Sequence, residues 1–201
     1  MRITVGNLKG GSAKTTSAVH LALGLARDGR TLLVDADPEQ PQSHEWAETA
    51  GDDWPADRCT VVPLASRDLA RRVRPMLDDY AHVVFDVGPK NPALLRQAMS
   101  LSDVVVIPSR PTTPELREIP KTLELAAEVD DAGHPLAVAV LLVQVRTSTA
   151  AAAEARDLLA DEEIPVMGAQ VRLLKVFELA FGSVPDDLRD YEDVLKEVLT
   201  A

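Results

Sequence analysis

A loop rich in glycine and lysine, residues 9–16, carries side chains suited to binding phosphate. It reads Lys-Gly-Gly-Ser-Ala-Lys-Thr-Thr and separates a short apolar run, residues 3–5, from a segment with helical spacing. Glycines let backbone N–H groups approach an anion, and the positive end of the following helix dipole points at the same place. Lys14 would contact the outer phosphates of a nucleotide, and the Thr15 hydroxyl would bind Mg²⁺. The sequence therefore predicts a nucleotide phosphate site.

The loop departs from the usual pattern G-x-x-x-x-G-K-[ST] at both glycine positions. Leu8 and Ala13 occupy them, and an extra lysine, Lys9, precedes the paired glycines. Ala13 brings a methyl group near the expected phosphates, which predicts slower or looser nucleotide binding. A glycine turn before a helix would explain Gly10 and Gly11, but not the Lys-Thr-Thr sequence that follows a strand.

Acidic residues follow two further apolar runs, at the points where parallel strands would end. Asp35 and Asp37 follow residues 31–34, and Asp86 follows residues 82–85. Binding residues of open α/β sheets gather at the carboxyl ends of the strands. Beside a phosphate loop, an acid at such an end is typical of the residue that holds a water of the Mg²⁺ shell. We therefore expect these acids to position metal or water.

Apolar runs alternate with helical patterns along the chain, which predicts an α/β fold with a mainly parallel central sheet flanked by helices. The predicted strands are residues 3–5, 31–34, 60–64, 82–85, 103–108, 136–145 and 164–167. One later helix is expected to kink at Pro120. Two helices, residues 172–181 and 186–199, are expected to close the chain. No linker or repeat interrupts the sequence, so we expect a single domain, 1–201.

Composition and charge limit the possible functions. Hydrophobic residues make up 46 % of the chain and aromatic residues only 3 %, so the core must consist of aliphatic side chains. The single cysteine, Cys59, excludes an internal disulfide framework and fits a reducing compartment. No secretory signal is visible, and no apolar run approaches the roughly 18 residues of a membrane span. The net charge of −11 disfavours general attraction to nucleic acid or acidic lipid, so DNA contact would need a local basic patch.

Three features together resemble the ParA-type partition ATPases, which have a deviant Walker A loop. They are Lys9-Gly10-Gly11-x-x-Lys14-Thr15-Thr16, Asp35-x-Asp37-Pro38-x-Gln40 and the strand that ends in Asp86. The likeness covers nearly the whole chain, including residues 102–108 and the Phe177-x-x-Ala180-x-Gly182 segment. The length and the lack of an N-terminal helix-turn-helix are similar to the short plasmid members of the family, the ParF-like proteins.

The resemblance implies a P-loop ATPase that hydrolyses ATP slowly and dimerises with two nucleotides sandwiched between its subunits. Lys9 would reach the nucleotide of the partner subunit, and Lys14 would hold the β- and γ-phosphates. Thr16 would contact the α-phosphate. The remaining loop residues that would surround the phosphates are Gly10, Gly11, Ser12 and Ala13.

The resemblance also assigns the hydrolytic residues and a dimer contact. Asp37 would orient the attacking water, while Asp35 and Asp86 would lie in the outer shell of the Mg²⁺ bound by Thr15. Pro108 would begin a proline-rich dimer contact that also touches the adenine. Catalysis would therefore depend on Lys9, Lys14 and Asp37.

Family members bind DNA without sequence preference when ATP is bound. A small centromere-binding partner, similar to ParB or ParG, then stimulates hydrolysis and releases them. The resemblance thus implies a cytoplasmic, nucleoid-associated protein that does not bind membranes and segregates plasmid or chromosomal DNA. Arg146, Arg172 and Lys175 are candidates for the DNA-phosphate contacts, and solvated surface charges are an equally good interpretation of them.

Two positions besides Ala13 differ from the family pattern. Gly88 occupies a position where a second proline is common. Gln144 and its neighbours occupy a region where an asparagine often contacts the adenine. Selectivity for adenine is therefore left open by the sequence.

Other functions are possible on the same scaffold. Positioning of a protein cargo, such as a carboxysome, is a close variant, because the partner chooses the cargo. A metabolic synthetase, for example one resembling dethiobiotin synthetase, has no evident need for Lys9. A membrane-surface regulator resembling MinD would want basic residues on its final helix, whereas residues 186–199 carry mostly acids on the polar face. Lys9 therefore favours a positioning ATPase.

Overall fold

The computed structural model describes residues 1–200, which form one α/β domain around a seven-stranded parallel sheet. The strands are β1 (Arg2–Gly6), β2 (Thr31–Ala36), β3 (Cys59–Pro63), β4 (His82–Val87), β5 (Val104–Ser109), β6 (Ala137–Val145) and β7 (Val166–Arg172). Their order across the sheet is β3-β2-β4-β1-β5-β6-β7, and every neighbouring pair is parallel. All seven predicted strands are present, and the sheet is fully rather than mainly parallel.

Helices cover both faces of the sheet, as long crossovers between parallel strands require. They are α1 (Lys14–Leu25), α2 (Gln42–Ala50), α3 (Leu69–Val73), α4 (Pro92–Met99), α5 (Thr113–Leu116), α6 (Ile119–Asp131), α7 (Ala151–Asp161), α8 (Lys175–Glu178) and α9 (Asp190–Val198). Successive residues of β6 point to opposite faces: Val140 and Leu142 pack in the cluster with α3 to α7, and Leu141 and Val143 pack in the cluster with α1, α2 and α9. The interior strands are therefore apolar on both sides.

The predicted kink at Pro120 is wrong. One helix, α5, ends at Leu116, and a separate helix, α6, starts at Ile119 with Pro120 in its first turn. A proline is favourable there, because its missing N–H would have no helical partner. Pro120 thus starts a helix instead of bending one.

The predicted helix over residues 172–181 is also wrong in extent. Arg172 is the last residue of β7, where it pairs with Val145 of β6, and only α8 is α-helical in that stretch. The backbone N–H of Arg172 donates to the Asp190 carboxylate at 2.8 Å. A side chain of α9 thus provides a hydrogen-bond partner for a backbone group of this edge strand. A contact with a residue far along the chain therefore overrides the local helical pattern. The final helix is confirmed, with Tyr191, Val194, Leu195 and Val198 buried.

None of the helices within residues 1–200 has the length and apolar composition needed to cross a membrane.

Candidate functional site

A cavity of about 470 Å³ opens at the carboxyl edge of the sheet, where the segments after β1, β2, β4 and β6 meet. Its volume lies in the range of sites for small-molecule ligands. One half, which we call the phosphate end, is lined by residues 10–16, Asp37 and Asp86. The other half, the apolar end, is lined by the residues Val143, Gln144, Val171, Leu173, Leu174, Phe177 and Tyr191. The predicted loop and two of the three predicted acids therefore converge on one cavity.

Lys14 is the first residue of α1 and lies at the phosphate end with only 7 % of its surface exposed. Its Nζ donates to the backbone oxygen of Lys9 at 2.8 Å. Burial lowers the pKa of the Lys14 ammonium, and the charges of Asp86, Asp37 and Glu115 act in the opposite direction. A buried ammonium that faces the cavity is suited to binding phosphate oxygens.

Ala13 adopts a left-handed backbone conformation, with φ 54° and ψ 32°, immediately before α1. An L-residue pays roughly 1–2 kcal/mol for this conformation, whereas glycine adopts it freely. The usual glycine at this position is therefore explained by backbone geometry. Ala13 keeps the same geometry: its carbonyl accepts the N–H of Ser17 at 3.0 Å and so begins the helix.

Asp86 is almost fully buried and lies beside the first helical turn. Its Oδ2 accepts a hydrogen bond from the Ser43 hydroxyl at 2.6 Å, and the Thr15 hydroxyl is a second partner. Burial raises the pKa of Asp86 to about 6, with the hydrogen bonds from Ser43 and Thr15 opposing it. A buried carboxylate next to a threonine hydroxyl fits Mg²⁺, since a cation there would replace the lost hydration. Ser43 was missed from the sequence, where it looked like an ordinary helix residue.

No group of three or more His, Cys, Asp or Glu side chains within residues 1–200 is arranged to hold a metal ion. Such a result is compatible with Mg²⁺, because Mg²⁺ keeps several waters and takes other ligands from nucleotide phosphates. Thr15 and Asp86 are the protein groups suited to hold it.

Asp35 lies behind the cavity and is 1 % exposed. Its carboxylate accepts the backbone N–H groups of Asp37 at 3.2 Å and His44 at 3.0 Å. Burial raises its pKa, and these hydrogen bonds oppose the increase. In this arrangement Asp35 anchors the segment between β2 and α2, and Asp37 is the acid from that segment that reaches the cavity.

Gly88 provides the space that Asp37 occupies. A Cβ atom at Gly88 would lie 2.4 Å from Cγ of Asp37, closer than real Cβ contacts allow. The Asp37 carboxylate also accepts the N–H groups of Glu39 at 2.9 Å and Gln40 at 3.1 Å, which fix its orientation. The glycine at position 88 is thus required by the place of Asp37 in this chain.

Lys9 is not among the residues that line the cavity, whereas Lys14 is. The cavity lining begins at Gly10, and among residues 1–200 the Lys9 ammonium forms no ion pair. Its charge contributes to the lowered pKa of Glu118, whose largest cause is the hydrogen bond from Lys121. The two lysines of the loop therefore face different surroundings.

Asn7 connects the phosphate loop to β5. Its Oδ1 accepts the N–H of Lys9 at 3.0 Å, and its Nδ2 donates to the backbone oxygen of Pro108 at 2.8 Å. Asn7 is buried, and nothing in the sequence singled it out. Pro108 itself is buried in β5 and lies outside the cavity lining, and its contact with adenine stays a prediction.

The three predicted DNA contacts differ in their surroundings. Arg172 is held by Asp190 through Nη2 at 2.6 Å and Nε at about 3 Å, which raises its pKa. Arg146 and Lys175 are exposed and form no ion pair within residues 1–200. Of the three, these two have charges available to a phosphate backbone.

The apolar end is supported by an aromatic cluster that the sequence did not reveal. His20 is 1 % exposed and stacks on Tyr191 with ring centroids 4.6 Å apart, while Phe177 meets it edge-on at 5.4 Å. Its Nδ1–H donates to the backbone oxygen of Thr16 at 2.7 Å, and burial lowers its pKa to about 4. Gln144 has φ 54°, an uncommon backbone conformation that often marks functional sites.

A parallel sheet, a lysine-bearing loop between β1 and α1, and an acid on the neighbouring strand β4 together define a P-loop nucleotide-binding domain. The chain belongs to the CobQ/CobB/MinD/ParA nucleotide binding domain family, whose sequence profile matches residues 3–182. This family assignment confirms the ParA-type resemblance.

Three known proteins illustrate how varied the relatives are. Maintenance of carboxysome distribution protein A from Gloeobacter kilaueensis is 34 % identical over 187 residues, covering 89 % of this chain and 79 % of that protein. A plasmid partition protein from Borrelia burgdorferi superposes with a TM-score of 0.73 at 17 % identity, covering 99 % of this chain and 97 % of the other.

The third is cobyrinic acid a,c-diamide synthase from Mycobacterium smegmatis, solved with an ATP analogue and magnesium. It has a TM-score of 0.77 at 20 % identity, covering 98 % of this chain and 93 % of the other. The two structural likenesses show a shared fold. Since a plasmid partition protein and a biosynthetic synthase share that fold, the fold alone does not select the function.

Proposed function

We propose that this protein is an ATP-dependent positioning ATPase that forms an ATP-sandwich dimer. The observation that carries the proposal is the separation of the two loop lysines. Lys14 lines the cavity, whereas Lys9 lies outside its lining with an unpaired ammonium. A cation that does not serve its own cavity is available to a second subunit, where nucleotide phosphates would attract it.

The proposed reaction is slow hydrolysis of ATP to ADP and phosphate, stimulated by a partner protein. Lys14 binds the β- and γ-phosphates with the N–H groups of residues 10–16, and Asp37 orients the attacking water. Thr15 and Asp86 hold Mg²⁺, which supplies charge neutralisation for the phosphates. Asp35 acts from behind the site by accepting the backbone N–H of Asp37 and so anchoring its segment, and its place in the outer shell of Mg²⁺ stays a prediction. The ATP analogue and magnesium in the related synthase support this choice of ligands.

The cargo is proposed to be plasmid or chromosomal DNA, or a protein assembly. The 34 % identity to the carboxysome distribution protein supports a protein cargo, and the fold of the plasmid partition protein is compatible with DNA. In both versions the ATP-bound dimer binds nucleoid DNA without sequence preference, through Arg146, Lys175 and, if Asp190 releases it, Arg172. A small partner similar to ParB or ParG would then release the dimer from the DNA. We expect a cytoplasmic, nucleoid-associated protein of the short ParF-like type.

The sandwich dimer is tested by replacing Lys9. We expect Lys9→Gln to bind ATP with nearly normal affinity, to remain monomeric with a non-hydrolysable ATP analogue, and to lose its stimulated hydrolysis. Lys121→Gln is the matched control, because it removes one positive charge near Glu118 without altering the loop. Gel filtration with light scattering measures the mass, and phosphate release measures turnover.

The proposal would be overturned by a wild-type protein that has the same monomer mass with ADP and with the ATP analogue. Normal dimerisation and turnover of Lys9→Gln would show that the lysine does not act across subunits. Failure to hydrolyse ATP in the presence of Mg²⁺ would exclude an ATPase of any kind.

A further inference from the structure

Large exposed apolar side chains are concentrated around α8. Val176 is 45 % exposed, Leu179 is 69 % exposed and Phe181 is 45 % exposed, all within six residues. The other large apolar side chains with comparable exposure in residues 1–200, Leu158 and Leu199, stand singly on α7 and after α9. Single exposed apolar residues are ordinary, whereas several within one short segment indicate an interaction surface. We call Val176, Leu179 and Phe181 the α8 patch.

Exposed acidic residues lie in the same chain segment as the α8 patch and on the helix that it contacts. Glu178, Asp186 and Asp187 are exposed in the same segment of the chain. Further exposed acids, Glu45 and Glu48, lie on α2, the helix that the patch contacts through Trp46. The cations of the segment are Lys175 and Arg189, and Arg189 is paired with Asp187 at 3.4 Å. An apolar surface with an acidic border is complementary to a basic amphipathic segment.

The patch is linked to the phosphate end through α2. The ring of Phe181 lies 5.5 Å from that of Trp46, and Trp46 Nε1 donates to the backbone oxygen of Ser183 at 2.7 Å. One turn before Trp46 on the same helix, Ser43 donates to Asp86. Gly182 also packs closely on Thr49 of α2, because a Cβ there would lie 2.4 Å from the Thr49 side chain. A displacement of the patch would therefore be transmitted through α2 to Ser43, which hydrogen-bonds the buried Asp86.

We propose that the α8 patch docks the partner protein that stimulates hydrolysis, through a basic amphipathic segment of that partner. Apolar side chains of the partner's segment, such as leucines, cover Val176, Leu179 and Phe181. Its lysines or arginines face the exposed acidic residues near the patch. Docking displaces α2 and with it Ser43. The movement of Ser43 changes the positions of Asp86 and of the segment that carries Asp37. The inference rests on the proposed function, since it names where the stimulating partner binds.

The test uses two synthetic amphipathic peptides of the same leucine pattern, one with lysine and one with glutamate at the polar positions. Fluorescence anisotropy measures binding to the full chain, and phosphate release measures hydrolysis. We expect the lysine peptide to bind and to raise the hydrolysis rate, and the glutamate peptide to do neither. Binding should weaken at higher salt, because part of it is electrostatic.

Substitutions locate the binding site. Leu179→Ser should weaken binding of the lysine peptide by about tenfold, since central apolar contacts dominate such interfaces. Asp186→Lys should weaken it by about threefold through the lost attraction. Leu158→Ser is the control: it removes an exposed leucine on α7, 40 % exposed against 69 % for Leu179, and should leave binding unchanged.

Three results would overturn the docking proposal: equal binding of both peptides, unchanged binding to Leu179→Ser, or a smaller mass of ATP-bound Leu179→Ser in light scattering. The last result would show that the patch contacts a second copy of the chain. Failure of the functional proposal would give a different result, because wild-type protein would then neither hydrolyse ATP nor dimerise in its presence. With basal hydrolysis intact, a failed peptide experiment concerns the patch alone.

Discussion

The phosphate end and the apolar end of the cavity are built in different ways. Residues 10–16 supply most of the phosphate end from one continuous segment, and the remaining charges are the buried Asp86 of β4 and the half-buried Asp37 that follows β2. The apolar end takes its residues from β6, β7, α8 and α9, and its support is the packing of His20 with Phe177 and Tyr191. Backbone geometry and charge define one end, and tertiary packing of apolar rings defines the other.

This difference explains how one scaffold serves unrelated functions. Phosphate is the same in every nucleotide, so a local loop of fixed geometry suffices to bind it. Residues at the apolar end come from separate elements, so their identities can change without changing the sequence of that loop. His20, which supports this end, contacts the loop by donating to the backbone oxygen of Thr16. Such a division is compatible with a fold shared by a plasmid partition protein and a biosynthetic synthase.

The largest effect is expected from Gly88→Ala at the phosphate end. The new Cβ would overlap the Asp37 carboxylate and displace it by about 1 Å, and such a misplacement costs about 100-fold in kcat. ATP affinity should change little, because Lys14 and the loop are untouched. Steady-state phosphate release and nucleotide titration measure the two quantities.

Gly168→Ala is the control for this substitution, since its Cβ would meet only Glu197 at 3.7 Å, an ordinary contact. Normal turnover of Gly88→Ala would mean that Asp37 is not the water-orienting residue. Loss of ATP binding together with turnover would mean that the two ends are not separable as described.

An intermediate effect is expected from pH, with opposite signs at the two ends. The pKa of His20 falls from 6.5 to about 4 on folding, so the unfolded chain binds a proton that the native chain excludes, and stability falls as the pH drops below 6.5. This amounts to about 2 kcal/mol between pH 7 and pH 5. The pKa of Asp86 rises from 3.8 to about 6, so its contribution increases stability as the pH falls through 6.

Urea unfolding at pH 7 and pH 5 measures both contributions. We expect His20→Gln to lose less stability on acidification than wild type, and Asp86→Asn to lose more. The control is His134→Gln, which removes a partly exposed histidine outside the cavity lining. Identical pH dependence in wild type and His20→Gln would show that burial of the neutral His20 ring does not determine how stability depends on pH.

The smallest effect is expected from Ala13→Gly. Relief of the left-handed conformation should stabilise the protein by about 1 kcal/mol, because glycine adopts it without steric cost but loses more freedom on folding. Thermal unfolding measures the change. Ala153→Gly, at an exposed position in the first turn of α7, is the control and should have the opposite sign, with a loss of up to about 1 kcal/mol. A destabilised Ala13→Gly would indicate that the Ala13 methyl contributes packing that outweighs the strain.

The phosphate end was largely predictable from the sequence, and the apolar end was not. The loop lysine, Asp37 and Asp86 follow apolar strands directly, so spacing alone brings them to one sheet edge. His20 carries no local signal, because its role arises from ring stacking. Gln144 was singled out only through the family resemblance, and its rare backbone conformation leaves no sign in the sequence. Ser43 illustrates the same limit, since only the fold brings its hydroxyl to Asp86.

The fold was predicted where local patterns decide it, and it differed where distant contacts do. Buried parallel strands are continuous apolar runs, so all seven could be located. The stretch that begins at Arg172 has helical spacing, but Asp190 binds the backbone N–H and the guanidinium of Arg172 and keeps it in β7. A hydrogen bond between a distant side chain and the backbone of an edge strand produces no periodic pattern in the sequence.

The two tryptophans give the protein an optical reporter of its own. Trp46 is 2 % exposed and bound to Ser183, between the α8 patch and Ser43, whereas Trp54 is 7 % exposed and bound to the backbone oxygen of Cys59. Indole emission responds to hydration and to the loss of such a hydrogen bond. Substitution of Trp54 alone would leave Trp46 as a single intrinsic fluorophore on α2, so the intensity and wavelength of its emission would follow that helix without an attached dye.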